Sequence, residues 1–150
     1  MQFKKTRVLI SFLFVLFTLT ISAQEKTTDF EKIKQKAASE NKNILLIFQG
    51  SDWCTPCMKL EKEIWSSEEF KTYAAGHWVV YKADFPRKKQ NQPDSEQVKF
   101  NKQLAEKYNS KGFFPFVAVL DKNGKVLGET GYKKLSPKEY IEHLESISKN

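Results

Sequence analysis

The chain has 150 residues, 40% of them hydrophobic, with 25 lysines and arginines against 18 acidic residues and a formal charge of +7. That length suits one domain with a real core, which needs no disulfide scaffold to fold. The basic excess does not indicate a nucleic-acid partner: the densest cluster beyond the N-terminus, PRKK at 86–89, has polar neighbours and no interleaved aromatics, which is the composition of a solvated loop.

The first element is MQFKKTR, then the uncharged run VLISFLFVLFTLTI from Val8 to Ile21, then small residues, the layout of a secretory signal. As a membrane anchor that run would be short, because fourteen helical residues rise about 21 Å against a hydrocarbon core of about 30 Å. The expected cut follows Ala23, with Ser22 as the alternative, leaving 24–150 as a single soluble domain in the periplasm or outside the cell. No cysteine lies near that boundary to carry a lipid. Removal of 1–23 takes away Lys4, Lys5 and Arg7, so 22 basic residues face 18 acidic ones and the charge falls to +4.

From Thr28 to Asn41, Phe30, Ile33 and Ala37 recur at helical spacing behind Thr28 and Asp29, which can cap. NILLIF, 43–48, is an apolar run without alternation, the pattern of a strand buried on both faces. Cysteines 54 and 57 follow, and Cys57, Leu60 and Ile64 share the inner face of the next helix, leaving Cys54 off the core. A short helix is expected over 67–75, ended by Gly76, and a strand over 77–85. PRKKQNQPDS, 86–95, is a polar loop. Asp94 or Ser95 then caps a helix carrying Phe100, Leu104 and Tyr108. FFPFVAVLD, 113–121, is a strand with a proline near its start, and DKNGK, 121–125, turns it into VLGETGY as a hairpin. Ser136, Pro137 and Glu139 open the last helix with a capping box, and Tyr140, Leu144 and Ile147 line its inner side. This order predicts an α/β fold with a mixed central sheet flanked by helices.

Two cysteines three positions apart can be a staple, half a metal site, a haem attachment or a redox couple. So small a loop removes little unfolded-chain entropy, which disfavours the staple. A zinc site needs about four ligands, and the two histidines, His77 and His143, lie 66 positions apart without ligand spacing. Met58 stands where haem attachment requires histidine. The redox couple remains. A buried strand ending before Cys54 and a helix starting after it place the Cys54 sulfur over free helix N–H groups, which favours the thiolate, the attacking species. Pro56 fits the first turn, where its missing N–H costs nothing. Cys54 is accordingly expected to be the nucleophile and Cys57 the resolving thiol, with no cofactor and no metal.

The run Trp53-Cys54-Thr55-Pro56-Cys57 after a buried strand, followed later by Pro115 at the head of another strand, resembles the thioredoxin superfamily over residues 28–148. FQGSDWCTPCMKLEKEIWSSEEF is most similar to its secreted bacterial members and to the thiol-donating domain of membrane-spanning disulfide reductases. The resemblance implies a thioredoxin fold and a thiol:disulfide oxidoreductase acting on disulfide-containing proteins. It also implies that Phe114-Pro115 is a cis peptide beside the cysteines, with the Phe114 backbone pairing to substrate, and that the pair between the cysteines, Thr55 and Pro56, tunes the potential.

The chain departs from the family in places. Phe48 stands six positions before the first cysteine, where cytoplasmic thioredoxins bury an acid. Asp52 is a substitute for that acid or a solvated loop residue. Thr55 replaces the usual glycine, and Phe116 stands where a small hydroxyl residue is common. With Trp53, Phe113 and Phe114 it forms either an apolar rim or part of the core. An uncharged dipeptide between the cysteines argues for a potential nearer the roughly −270 mV of thioredoxin than the roughly −120 mV of the strongest oxidants. A reductase or thiol donor is therefore expected, monomeric by default and recharged by a membrane electron donor. The alternatives are an oxidase, should the potential be high, and a non-catalytic module that binds polypeptides in the same groove.

Overall fold

NILLIF becomes the centre of the sheet. In the computed structural model, which describes residues 29–149, β1 (Asn43–Gln49) is buried from Ile44 onward. β2 (Trp78–Asp84) pairs with it in parallel, β3 (Phe116–Leu120) pairs antiparallel on the other side, and β4 (Val126–Thr130) closes a hairpin with β3. The order β2-β1-β3-β4 makes a mixed sheet in which β1 has neighbours on both edges. The expected signal sequence, its cut and the capping by Thr28 lie outside the described residues.

Alternation along β1 assigns the helices to the two faces. Leu45 and Ile47, with Val117 and Val119 of β3, pack under α2 (Thr55–Leu60), α3 (Glu68–His77) and α5 (Pro137–Ile147). Ile44, Leu46 and Phe48, with Ala118 and Leu120, pack under α1 (Asp29–Glu40) and α4 (Ser95–Tyr108). Residues such as Leu45, Ile47, Leu60 and Leu144, all fully buried, contribute about 1.5–3 kcal/mol each. The mixed sheet with helices on both sides is the architecture read from the element order.

Several boundaries differ from the sequence reading: β2 runs from Trp78 to Asp84 rather than over 77–85, β3 starts at Phe116 rather than at 113, and three further differences have a local cause. The helix after the cysteines does not run on regularly; at Glu61–Trp65 it widens into a π-helical turn, with Ser66 N–H donating to Glu61 O at 3.0 Å. Trp65 then packs edge-on against Phe70 and Tyr140. Gly76 does not end α3, which continues to His77, because nothing at that site calls for a left-handed turn and His77 stacks on Tyr73 one turn back. β4 stops at Thr130 rather than Tyr132, since Gly131 O turns to accept the Tyr140 hydroxyl at 2.8 Å. At the hairpin, Gly124 has φ of 85°, and the Asp121 carboxylate accepts the N–H groups of Asn123 and Lys125. The capping box at Ser136 and Glu139 forms as read.

Candidate active site

β1 ends at Gln49, and the next five residues deliver the chain to α2. Gly50 O accepts the Cys54 N–H at 3.0 Å, which folds this connection into a tight turn and presents Cys54 as the N-cap of α2. Cys54 and Cys57 form a disulfide, with S–S 2.02 Å and Cα–Cα 5.2 Å. Cys57 N–H donates to Cys54 Sγ at 3.3 Å, so one free N–H of the helix start already points at that sulfur. Pro56 occupies the first turn, and Thr55 and Pro56 are both exposed.

Burial of the pair corrects one expectation. Cys57 is 2% exposed, as its helical face requires, but Cys54 is 4% exposed rather than standing clear of the core. The helix period describes positions within α2, whereas Cys54 precedes it in extended backbone and its sulfur is drawn toward Cys57.

Trp53 is held from three sides. Its Nε1–H donates to Phe85 O at 2.7 Å, its ring meets Phe114 edge-on at 5.4 Å, and the Arg87 guanidinium lies over its face at 4.0 Å. Gly50 is required beneath it, because a Cβ there would fall inside the indole. Phe114 also meets Phe85 edge-on, and the Phe114–Pro115 peptide is cis, as the resemblance implies. The loop carrying this peptide is fixed by Asn109, 5% exposed, whose side chain donates to Phe113 O and accepts from Phe113 N–H. Of the four aromatics read as rim or core, Trp53 and Phe114 pack together, Phe113 is 56% exposed, and Phe116 leans on buried Phe48. Phe85 joins the cluster and was not singled out from the sequence, where it reads only as the end of a strand.

Asp52 is resolved in favour of the loop reading. Its carboxylate accepts the N–H groups of Arg87 at 2.8 Å and Lys88 at 2.9 Å, and the Asn91 side-chain amide at 3.0 Å. The Arg87 N–H bond foremost, with those of Lys88 and Asn91, holds its pKa below the ordinary value. An acid so occupied clamps the basic loop and does not stand in for the missing buried carboxylate. Phe48, at the acid's position, faces α1 and α4. The strand residue that shares a cavity with Cys57 is Gln49, also not singled out from the sequence. Alternation from Leu45 through Ile47 was the signal that could have found it.

A second anchor holds the same turn. Asp84, the last residue of β2, accepts Ser51 N–H at 2.9 Å and Ser51 Oγ–H at 2.6 Å. Its own carbonyl accepts the side-chain amide of Asn101 on α4 at 2.9 Å, and Asn101 in turn accepts the Tyr81 hydroxyl. Burial pushes the Tyr81 phenol up to about 12.

Comparison with known proteins agrees with this geometry. The model of the thioredoxin-like domain matches residues 30–148. The disulfide bond reductase DsbH of Chlamydia pneumoniae is 34% identical over 115 residues, covering 77% of this chain and 68% of that protein. A solved DsbH oxidoreductase superposes with a TM-score of 0.74 at 31% identity, over 81% of this chain and 83% of that one. A disulphide isomerase from Xylella fastidiosa Temecula1 shares the fold at a TM-score of 0.59 and 21% identity, over 89% of this chain and 99% of that one. A redox-type cysteine pair at a strand-to-helix turn, a cis-proline loop beside its tryptophan, and a family match across the whole described domain place this chain in the thioredoxin-like family of the thioredoxin superfamily.

Proposed function

We propose that the protein is exported by its N-terminal signal, cleaved after Ala23, and serves outside the cytoplasm as a thiol donor that reduces disulfides in other proteins. The chain is a thiol–disulfide oxidoreductase, and the direction of electron flow is the finer claim. The observation that carries the reading is the Cys54–Cys57 disulfide at the start of α2, with Cys54 Sγ already accepting a helix N–H. In the dithiol form the same N–H and the helix field favour a thiolate on Cys54.

In the forward reaction Cys54 thiolate attacks one sulfur of a substrate disulfide. That S–S bond breaks, and the departing sulfur leaves as a thiolate and takes a proton. Cys57 then gives up its proton and attacks Cys54 Sγ, the second substrate sulfur leaves as a thiolate and takes up a proton, and the Cys54–Cys57 bond forms. Two electrons have passed to the substrate, and the product is the disulfide state of this structure. Trp53, the Phe114 ring that meets it edge-on, and Pro115 across the cis peptide are the residues expected to receive the extended substrate segment.

Direction is supported by the dipeptide between the cysteines. Thr55 and Pro56 bring no charge that would stabilise the reduced thiolate and make the couple strongly oxidising. The DsbH relative is itself named a disulfide bond reductase. A thiol donor outside the cytoplasm has to be recharged, and a membrane dithiol is the class of donor that fits. Among the described residues no helix is long and apolar enough to cross a membrane.

The test is substrate trapping. Cys57→Ser should accumulate mixed disulfides on Cys54 that are resistant to alkylation and released by dithiothreitol, while Cys54→Ser should accumulate none. A Cys57→Ser protein with a reactive Cys54 and no adduct would point instead to a polypeptide-binding module.

A further inference from the structure

Gln49 closes β1 one residue past its apolar run, and alternation puts it on the face that carries Leu45 and Ile47, the face covered by α2. It is 9% exposed, and its Oε1 is out of solvent's reach with no hydrogen-bond partner. Buried acceptors are nearly always satisfied in folded proteins, so an orphan of this kind calls for an explanation. Gln49 and Cys57 line one cavity of about 380 Å³. Three other polar side chains on its wall are already committed: Ser51 Oγ donates to Asp84, Glu61 accepts Lys82 through both oxygens, and Ser66 Oγ donates to Glu61. Lys62, also on the wall, is exposed.

The structure is that of the disulfide state, in which Cys57 Sγ is bonded to Cys54 Sγ and has no proton to donate. Reduction alters that. As a donor dithiol passes two electrons to the pair, the Cys54–Cys57 bond breaks, the donor's two sulfurs join, and Cys57 takes up a proton. A buried S–H donor then appears in the cavity that holds the unpartnered oxygen.

We propose that Gln49 is a positioning residue of the redox centre, its Oε1 accepting the hydrogen bond of the Cys57 thiol in the dithiol state. The amide is idle in one redox state and engaged in the other, so it favours the dithiol over the disulfide. It also aims the resolving sulfur while that sulfur is protonated. This answers, for this chain, what stands near Cys57 in place of a buried acid. The inference rests on the pair cycling between disulfide and dithiol and holds in whichever direction electrons flow.

The experiment compares native protein with Gln49→Leu, which removes the acceptor at similar volume. The equilibrium constant for reduction by a dithiol buffer should fall about five- to tenfold, making the potential about 20–30 mV more negative. The melting temperature of the disulfide form should hold or rise, since an unsatisfied group has been removed. Gln49→Met, unbranched like glutamine, repeats the comparison should the leucine disturb the strand. In reduced Cys54→Ser, where Cys57 is the single thiol, the S–H stretching band should lie at the lower wavenumber of a hydrogen-bonded thiol and move up when Gln49→Leu is added. An unchanged potential in both variants, or a band that does not move, overturns the proposal. The native potential alone tests the direction of electron flow, so failure of that reading is distinguishable from failure of this one.

Discussion

The Arg87 guanidinium lies 4.0 Å from the centre of the Trp53 ring, and it fastens the PRKK loop to the redox motif. It acts together with the Trp53 indole on Phe85 O and the Asp52 carboxylate on the N–H groups of Arg87 and Lys88 and the side-chain amide of Asn91. A cluster that reads as solvated in sequence is thus also structural: Arg87, Lys88 and Lys89 are exposed, but the N–H groups of Arg87 and Lys88 are held by Asp52.

Arg87→Ala should remove the cation–π contact, worth about 0.5–1 kcal/mol at an exposed site, and change Trp53 emission without breaking the Asp52 clamp. Arg87→Lys should restore only part of the effect, because an ammonium lacks the flat face that stacks on indole. Thermal unfolding followed by tryptophan fluorescence checks both. Emission identical in all three proteins would show that the stacking is not maintained in solution.

Asp52 predicts a pH dependence. Its folded pKa is depressed below the ordinary 3.8, led by the Arg87 N–H bond, so the unfolded chain binds the proton more readily. The carboxylate therefore adds stability that is fully present above about pH 4 and is lost as pH falls through the depressed value. Asp52→Asn should loosen residues 86–91 at neutral pH, visible as faster amide exchange at Arg87 and Lys88, and flatten the acid limb of the stability profile. An acid limb of native steepness would contradict the assignment.

Gly50→Ala should be among the most damaging small substitutions in the chain. Its Cβ would coincide with the Trp53 ring, so either the indole leaves its seat or the turn that caps α2 opens. Overpacking of this kind costs about 1–3 kcal/mol. The expected result is a lower melting temperature together with slower thiol–disulfide exchange, whereas Gly76→Ala, which meets no atom within 4 Å, should be tolerated.

Asn101→Ala tests the support beneath the active-site turn. Asn101 is 2% exposed and donates to Asp84 O, while the Asp84 carboxylate holds Ser51. Removing the amide leaves a carbonyl without that donor and should cost about 1–3 kcal/mol. Urea denaturation gives the loss, and a native midpoint would show that the strand end is held by Ser51 alone.

Elements and their order were legible because apolar periodicity reports directly on burial: NILLIF has no alternation and is buried on both faces, and Tyr140, Leu144 and Ile147 are spaced as a helix face. The cysteine pair and Pro115 were legible because their chemistry sits in adjacent letters or in a family pattern. What was not legible depends on residues far apart in the chain. Asp52 finds its partners 35 and more positions later, so its role could not be read from its neighbours. Gln49 looks like the polar end of a strand, and only the placement of α2 over that face brings it to the Cys57 cavity. The burial of Cys54 and the π-helical turn at Glu61 likewise arise from local geometry that a helix period does not encode.

The central claim is that this couple donates electrons, and its equilibrium reduction potential tests that most directly. The protein lacking residues 1–23 would be titrated against a dithiol buffer with tryptophan fluorescence as the readout. A value near or below about −230 mV is the predicted result and places the couple on the reducing side. A value above about −180 mV would make the protein an oxidant or isomerase and contradict the account.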